Sequence, residues 1–305
     1  MAPPAAPGFG VRNMTDPLRR VLVKRPEEAF ALADPVAWGY AGRPELGAAR
    51  AEHEALVEIL RGAGAEVVGH DEAQPGRADA VFVFDPVLMT ERGAVVLSLG
   101  KPQRRGEEEA LARRLEALGV PILARFEAAA RAEGGDLLRL DERTLAAGLG
   151  LRTNAEGAGQ LATALAPLGI AVETVELPYF RGPRSCLHLL SLVSLLDRDL
   201  AVVYLPLLSV PFWRRLQDLG FRLVAVPDEE FATQASNVLA LAPRLGLMLE
   251  GSPITRRRLE EAGCEIRTYR GRELSLKAEG GPTCLTLPLL RVERGRAEEA
   301  RPLRK

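Results

Sequence analysis

Cysteine and histidine are scarce in this chain, with three of each in 305 residues. Cys186, Cys264 and Cys284 are odd in number and share no short paired spacing, which excludes a disulfide framework or zinc site as the organising element. His53, His70 and His188 are too scattered to suggest a metal. An excess of one charge is missing too: 40 basic residues face 41 acidic ones, for a net charge of -1. A nucleic-acid or membrane-surface protein would carry a clustered basic excess, so neither partner is expected. The run Arg256-Arg257-Arg258 is answered by Glu260 and Glu261 and reads as a solvated helix face. No apolar run approaches the ~18–20 residues that span a bilayer. The opening M-A-P-P-A-A-P-G-F-G lacks the charged and apolar regions of a signal peptide. These absences suggest a cytoplasmic protein with reduced thiols and a small-molecule partner.

What is present is an ordinary soluble composition, 47% hydrophobic and 27% charged, sufficient for a sizeable core. It is also repetitive. The pattern Leu-x-x-x-Gly-x-x-(Val/Ile/Leu) occurs five times, at Leu60-Gly64-Val67, Leu115-Gly119-Ile122, Leu165-Gly169-Val172, Leu216-Gly220-Leu223 and Leu259-Gly263-Ile266. Each copy reads as an amphipathic helix ended by a left-handed glycine, with a strand starting just after. Hairpin signals lie between the copies: 78–85 with 94–99, 135–140 with 144–149, 187–195 with 200–205, and 236–241 with 245–249. The module is strand, strand, helix, strand, about 50 residues long, and it cannot bury its sheet face alone. Five modules closed into a ring give an α/β propeller with pseudo-fivefold symmetry and helices outside. The expected organisation is a flexible arm over 1–12, a single domain over 13–294 and a flexible tail over 295–305.

In such a ring, residues at matching module positions converge on the axis. Asp85, Glu133, His188, Asn237 and Cys284 each follow a helix-end glycine at comparable distance. Two carboxylates, an imidazole and a thiol in one cavity make a catalytic inventory. In A-E-G-G-P-T-C (278–284), Gly280, Gly281 and Pro282 are expected to let backbone approach a ligand and to aim Cys284.

Several motifs in this order resemble the pentein family, the five-module propellers that modify guanidines. F-V-F-D-P (82–86), K-P-Q-R-R-G-E (101–107), E-G-G-D (133–136), R-T-N-A-E-G (152–157), L-H-L (187–189) and G-G-P-T-C (280–284) carry the resemblance. It implies Cys284 as nucleophile, His188 as proton carrier, and Glu133 and Asp85 as holders of a guanidinium. It also implies Arg104 and Arg152 as ligands of a substrate carboxylate, with Arg105 less favoured, and Asp79 and Glu279 as further lining. Catalysis would need no cofactor or metal, and no phosphate-binding glycine loop is present. Relatives are often dimers, which allows a homodimer here, although no stretch marks an interface. His53, on a charged helix, reads as surface, and Cys186 and Cys264 read as packing residues.

Among the relatives, arginine deiminases and amidinotransferases are longer. A deiminase would also carry an aspartate two residues after the histidine, where this chain has Leu190. The resemblance therefore leans to a dimethylarginine dimethylaminohydrolase, which releases citrulline and an amine. Deiminase, amidinotransferase and a catalytically silent scaffold remain alternatives. Phe84, Glu279 and the stretch 178–186 depart from the family pattern and bear on which guanidine is accepted.

Overall fold

The computed structural model describes residues 8–182, 185 and 187–292, so Cys186 and the tail over 295–305 lie outside the described residues. The chain builds five three-stranded sheets. β1 (Leu18–Val23) leads through helix α1 (Leu46–Gly62) to β2 (Glu66–Gly69), which runs parallel to it. Four complete modules follow. They are β3 (Val87–Met89), β4 (Ala94–Val96), α2 (Glu107–Ala117) and β5 (Ile122–Arg125), then β6 (Leu137–Arg139), β7 (Thr144–Leu149), α3 (Ala155–Leu165) and β8 (Ala171–Glu176). Next come β9 (Val193–Asp197), β10 (Leu200–Val203), α4 (Val210–Asp218) and β11 (Arg222–Ala225). The last are β12 (Leu239–Ala242), β13 (Leu245–Leu249), α5 (Pro253–Glu261) and β14 (Glu265–Tyr269). In each sheet the middle strand pairs antiparallel with the first and parallel with the third. β15 (Leu287–Arg291) returns to pair antiparallel with β1, so the two ends of the described chain share one sheet and the ring closes.

The repeated glycine is explained by its backbone. Gly64, Gly119, Gly169, Gly220 and Gly263 all have φ between +69° and +90°. At each, the glycine N–H bonds the carbonyl three residues back, and the next N–H bonds the carbonyl of the repeat's leucine, as in Cys264 to Leu259 at 3.0 Å. This double bond pattern closes a helix through a left-handed residue. All five leucines are fully buried, so one residue pair both ends the helix and anchors it to its sheet.

Three expectations need correction. Residues 78–81 form a tight 3₁₀ turn (Ala78–Val81), not a strand, because Phe82 N–H bonds Asp79 carbonyl at 2.8 Å; the strand begins only at Val87. His53 is not on the surface: it is 4% exposed in the buried stripe Ala49, His53, Leu56, Val57, Leu60. Burial pushes its imidazole down to about 4. The N-terminal arm does not reach residue 12 either. Gly10 N–H bonds Leu289 carbonyl, Arg291 N–H bonds Gly10 carbonyl, and Val11 N–H bonds Thr90 carbonyl, so 10–12 belong to the fold. Among the described residues, no helix is long and apolar enough to cross a membrane.

Candidate active site

The first strand of every sheet lines the axis, and the residue singled out in each module sits in the loop just before that strand. Asp85 precedes β3, Glu133 precedes β6, His188 precedes β9, Asn237 precedes β12 and Cys284 precedes β15. The ring therefore gathers all five at one end of the axis. His188 Nε2 lies 2.7 Å from Glu133 Oε2, and its Nδ1 lies 4.0 Å from Asp85 Oδ1. Asn237 Nδ2 donates to Cys284 Sγ at 3.4 Å, an N–H placed where it stabilises negative charge on sulfur. Cys284 is half-buried and therefore reachable, whereas Cys264 is buried and its thiol is pushed up by that burial.

A cleft with two lobes opens over these groups. The larger, about 280 Å³, is walled by Phe180, Phe231, Gln234, Asn237, His188 and Cys284. The smaller, about 40 Å³, is walled by Trp38, Asp79, Asp85, Lys101, Arg152 and Cys284, among others. Glu279 and His188 border both lobes. Glu279 adopts φ +57°, an uncommon conformation for a residue other than glycine, and it opens the turn that delivers Cys284.

Glu133 is completely buried, which alone would raise its carboxyl. The hydrogen bond to His188 and the charges of Arg152, His188 and Arg104 outweigh that burial and hold it well below the ordinary carboxylate range. Its Oε1 also accepts from the Gly100 and Lys101 N–H groups at 3.0 and 3.1 Å. Arg152 Nη1 stands 3.4 Å away. The result is a fixed anion, held without a mobile counterion. Behind it Asp136, pushed up to about 6 chiefly by burial, accepts from Thr153 Oγ1 and from the N–H of Leu189.

The glycines earn a different explanation from the one their sequence suggests. A Cβ on Gly135 would lie 2.1 Å from His188 Nδ1, so the second glycine of E-G-G-D lets the imidazole lie on bare backbone. A Cβ on Gly280 would strike the Phe82 ring at 2.1 Å, and one on Gly281 the Asn237 side chain at 2.5 Å. The pair therefore makes room for neighbours that position Cys284, not for an approaching ligand.

The charged residues expected at the site also hold one another. Arg104, expected to meet a substrate carboxylate, borders the smaller lobe, is 3% exposed and is bonded to the protein's own acids. It donates to Asp85 Oδ2 at 2.5 Å, Glu107 Oε2 at 2.9 Å and Phe82 carbonyl at 3.0 Å. Glu107 is pushed up to about 8 by burial, against the pull of Arg104. Asp85 is thus a braced carboxylate that also accepts from Gly135 N–H at 3.0 Å, and it keeps lone pairs toward the cleft. Asp79 is likewise occupied: Lys101 Nζ donates to it at 2.5 Å and Tyr40 OH at 2.8 Å. The same ammonium donates to Trp38 carbonyl and lies 4.8 Å from the Trp38 ring centre. Leu190, where a second acid would distinguish a deiminase, lines the axial hollow beneath the site and neither lobe of the cleft.

Sequence reasoning brought Asn237 to the axis without giving it a role, and it left Lys101, Trp38, Tyr40 and Asp136 outside the site. Asp136 and Lys101 stand inside E-G-G-D and K-P-Q-R-R-G-E, but Trp38 and Tyr40 carry no signal, since they come from the connection between β1 and α1. Asp85, Glu133 and His188 bring ligand atoms within 4.8 Å of one another, a spacing open to a metal ion. Arg104 pairs with Asp85 and Arg152 with Glu133.

A five-module α/β propeller with acids, imidazole and thiol at one end of its axis defines the pentein class. The family model described as N,N-dimethylarginine dimethylhydrolase, eukaryotic, matches residues 43–249, and one for arginine deiminase matches 208–291. The N(G),N(G)-dimethylarginine dimethylaminohydrolase of Streptomyces coelicolor is 32% identical over 90% of this chain and 98% of its own. The enzyme of the same name from Pseudomonas aeruginosa is 28% identical over 88% of this chain and 98% of its own. A crystal structure of that Pseudomonas protein, a cysteine-to-serine mutant complexed with citrulline, superposes with a TM-score of 0.73 at 24% identity, covering 89% of this chain and 99% of the other. The chain belongs to the dimethylarginine dimethylaminohydrolase family of penteins.

Proposed function

We propose that the protein is a cysteine-dependent hydrolase of guanidino amino acids, with methylated arginine as substrate and citrulline and an amine as products. The observation that carries this reading is the meeting of His188 and Cys284 in one cleft, with Glu133 bonded to His188 behind it and an N–H aimed at the sulfur. A guanidinium spreads its charge over three nitrogens and is a poor electrophile, so it must be held by anions. Glu133, fixed and ionised, and Asp85, braced by Arg104, supply them.

In this reading the sulfur of Cys284 attacks the guanidinium carbon to give a tetrahedral adduct. A guanidinium N–H bonding Glu133 competes with His188 Nε2 for the same oxygen and releases that nitrogen toward the leaving group. The C–N bond breaks, its electron pair goes to nitrogen, and His188 supplies the proton with which the amine departs. The S-alkylthiouronium left on Cys284 is then attacked by water. His188 takes the water proton, the C–S bond breaks, and the thiolate is restored as citrulline leaves. The Phe180–Phe231 wall, with ring centres 6.0 Å apart, gives the larger lobe an apolar side against which N-methyl groups can rest. Arg152 remains the candidate for a substrate carboxylate.

The deciding experiment is incubation with methylated arginines, arginine and agmatine, scoring citrulline, ornithine and the amine released. Methylarginine turnover to citrulline with kcat/KM well above that for arginine supports the proposal. Preferential release of ammonia from arginine makes the protein a deiminase, and dependence on an added amine acceptor makes it an amidinotransferase. No turnover of any guanidine would leave a silent scaffold.

A further inference from the structure

Beneath the catalytic residues the axis is hollow. A cavity of about 50 Å³ is walled by the first strand of all five sheets. Near the site it is bounded by Phe84, Gly134, Val238 and Thr283, which are the chain neighbours of Asp85, Glu133, Asn237 and Cys284. Its sides are apolar, with Met14, Met89, Leu195 and Leu239 among them. Arg139 and Arg291 also line it. They stand six and seven residues beyond Glu133 and Cys284 along β6 and β15, hence toward the opposite end of the axis at about 3.3 Å per residue.

These two arginines differ from Arg104. Arg139 is 5% exposed and Arg291 7% exposed, and their recorded hydrogen bonds all go to backbone carbonyls: Arg12, Asp141 and Glu142 for Arg139, Asp16 and Ala240 for Arg291. Among the described residues, Arg139 Nη1 and Arg291 Nε are buried with no partner. Burial draws Arg139 down and takes Arg291 to about 10, where carboxylates around Arg104 instead draw it up. The charges of Glu91, Asp141 and Glu142 on Arg139 and of Asp16 on Arg291 do not outweigh that burial, and each orphaned N–H adds to the cost. Both side chains line the same cavity, so one carboxylate there would bring an anion to both, its planar pair of oxygens matching the guanidinium fork. The apolar walls suit a hydrocarbon chain on that carboxylate and disfavour a phosphate or sulfate. The volume holds several waters or a chain of about four carbons. Access is at hand: a cavity of about 480 Å³ open at the far rim shares Asn13, Met14, Arg139 and Leu195 with the hollow.

We propose that this axial cavity is a second binding site, specific for a short-chain aliphatic carboxylate held by Arg139 and Arg291 and separate from the Cys284 cleft. Because its upper wall is continuous with the loops that carry the catalytic side chains, occupancy bears on their positions. The proposal stands whether or not the reaction assigned above is correct.

Methionine methyls report on it directly. The chain has four methionines, of which Met14 and Met89 line the cavity; Met248 belongs to the cluster that Met14 packs against but does not line the cavity. With the full-length protein labelled at methionine methyl carbons, butyrate should produce saturable shifts of Met14 and Met89 and leave Met248 still. The shifts should persist after Cys284 is alkylated, and the isosteric neutral amide, butanamide, should produce none. Arg291→Gln should weaken butyrate by about tenfold or more. If that variant does not fold, the acid-versus-amide comparison on the unaltered protein decides alone. Absence of saturable shifts, equal shifts with butanamide, or loss of the shifts on alkylation of Cys284 overturns the proposal.

Discussion

The two ends of the propeller axis treat buried charge in opposite ways. At the catalytic end, Arg104 is clasped by Asp85 and Glu107, Arg152 stands by Glu133, and Glu133 holds His188. At the far end, Arg139 and Arg291 are just as buried and meet only carbonyls. His53 and His70, away from the cleft residues' ion pairs, are buried as neutral imidazoles, each with one ring nitrogen lacking a partner among the described residues. The contrast teaches that this fold does not require every interior charge to be matched. Matching is concentrated where a side chain must keep one geometry through a reaction. In the proposed reaction, a guanidinium arriving at the cleft would find acids already fixed in place by the protein's own guanidiniums, with little reorganisation left for the moment of binding.

That comparison can be broken in several places. The largest effect is expected from Cys284→Ala, which should lower kcat by about 10⁴-fold or more while leaving the melting temperature nearly unchanged, measured by citrulline release and calorimetry. His188→Gln should cost about 10²–10⁴-fold, as removal of a positioned proton carrier does, with a flattened pH profile as its signature. Arg104→Met strands two buried acids and should destabilise by about 3–5 kcal/mol in urea unfolding. Arg291→Met strands only carbonyls and should cost about 1–3 kcal/mol. Equal costs at the two ends would erase the distinction drawn here.

The histidines give the pH arm of the same test. Burial holds both His53 and His70 near 4, below their ordinary 6.5. The unfolded chain therefore takes up protons first as pH falls. The stability they contribute is complete above about pH 6.5 and is lost progressively toward pH 4, on the order of 2–3 kcal/mol for each. His53→Leu should shallow that slope, seen as a smaller drop in the urea midpoint between pH 7 and 4.5. The smallest effect is expected at a helix end: Gly263→Ala forces alanine to φ +90° and should cost about 1 kcal/mol.

Much of this architecture could be read from residues alone, for a physical reason. A Leu-x-x-x-Gly helix end is local chemistry, since the carbonyl that accepts and the glycine that turns lie within six residues of each other. Five such ends at regular intervals fix the module, and the module fixes which loops meet at the axis. Asp85, Glu133, His188 and Cys284 were legible on that basis, and Asn237 was equally so. The partners of charge were not. That Arg104 turns to Asp85 and Glu107, that Lys101 reaches Asp79 beneath Trp38, and that Gly280 clears the Phe82 ring all depend on contacts between distant modules. His53 shows a different failure. Its charged neighbours masked a helical stripe, 49, 53, 56, 57 and 60, whose spacing marks a buried face.

The central claim is that Cys284 is the nucleophile of a guanidinium site. A haloacetamidine, whose planar cation imitates a guanidinium, tests it most directly when the labelled protein is digested and its cysteine peptides are weighed. The expected result is one label per chain, on Cys284, formed more slowly when methylarginine is present and nearly abolished in Glu133→Gln. Labelling spread evenly over Cys186, Cys264 and Cys284, or sparing Cys284, would contradict the account.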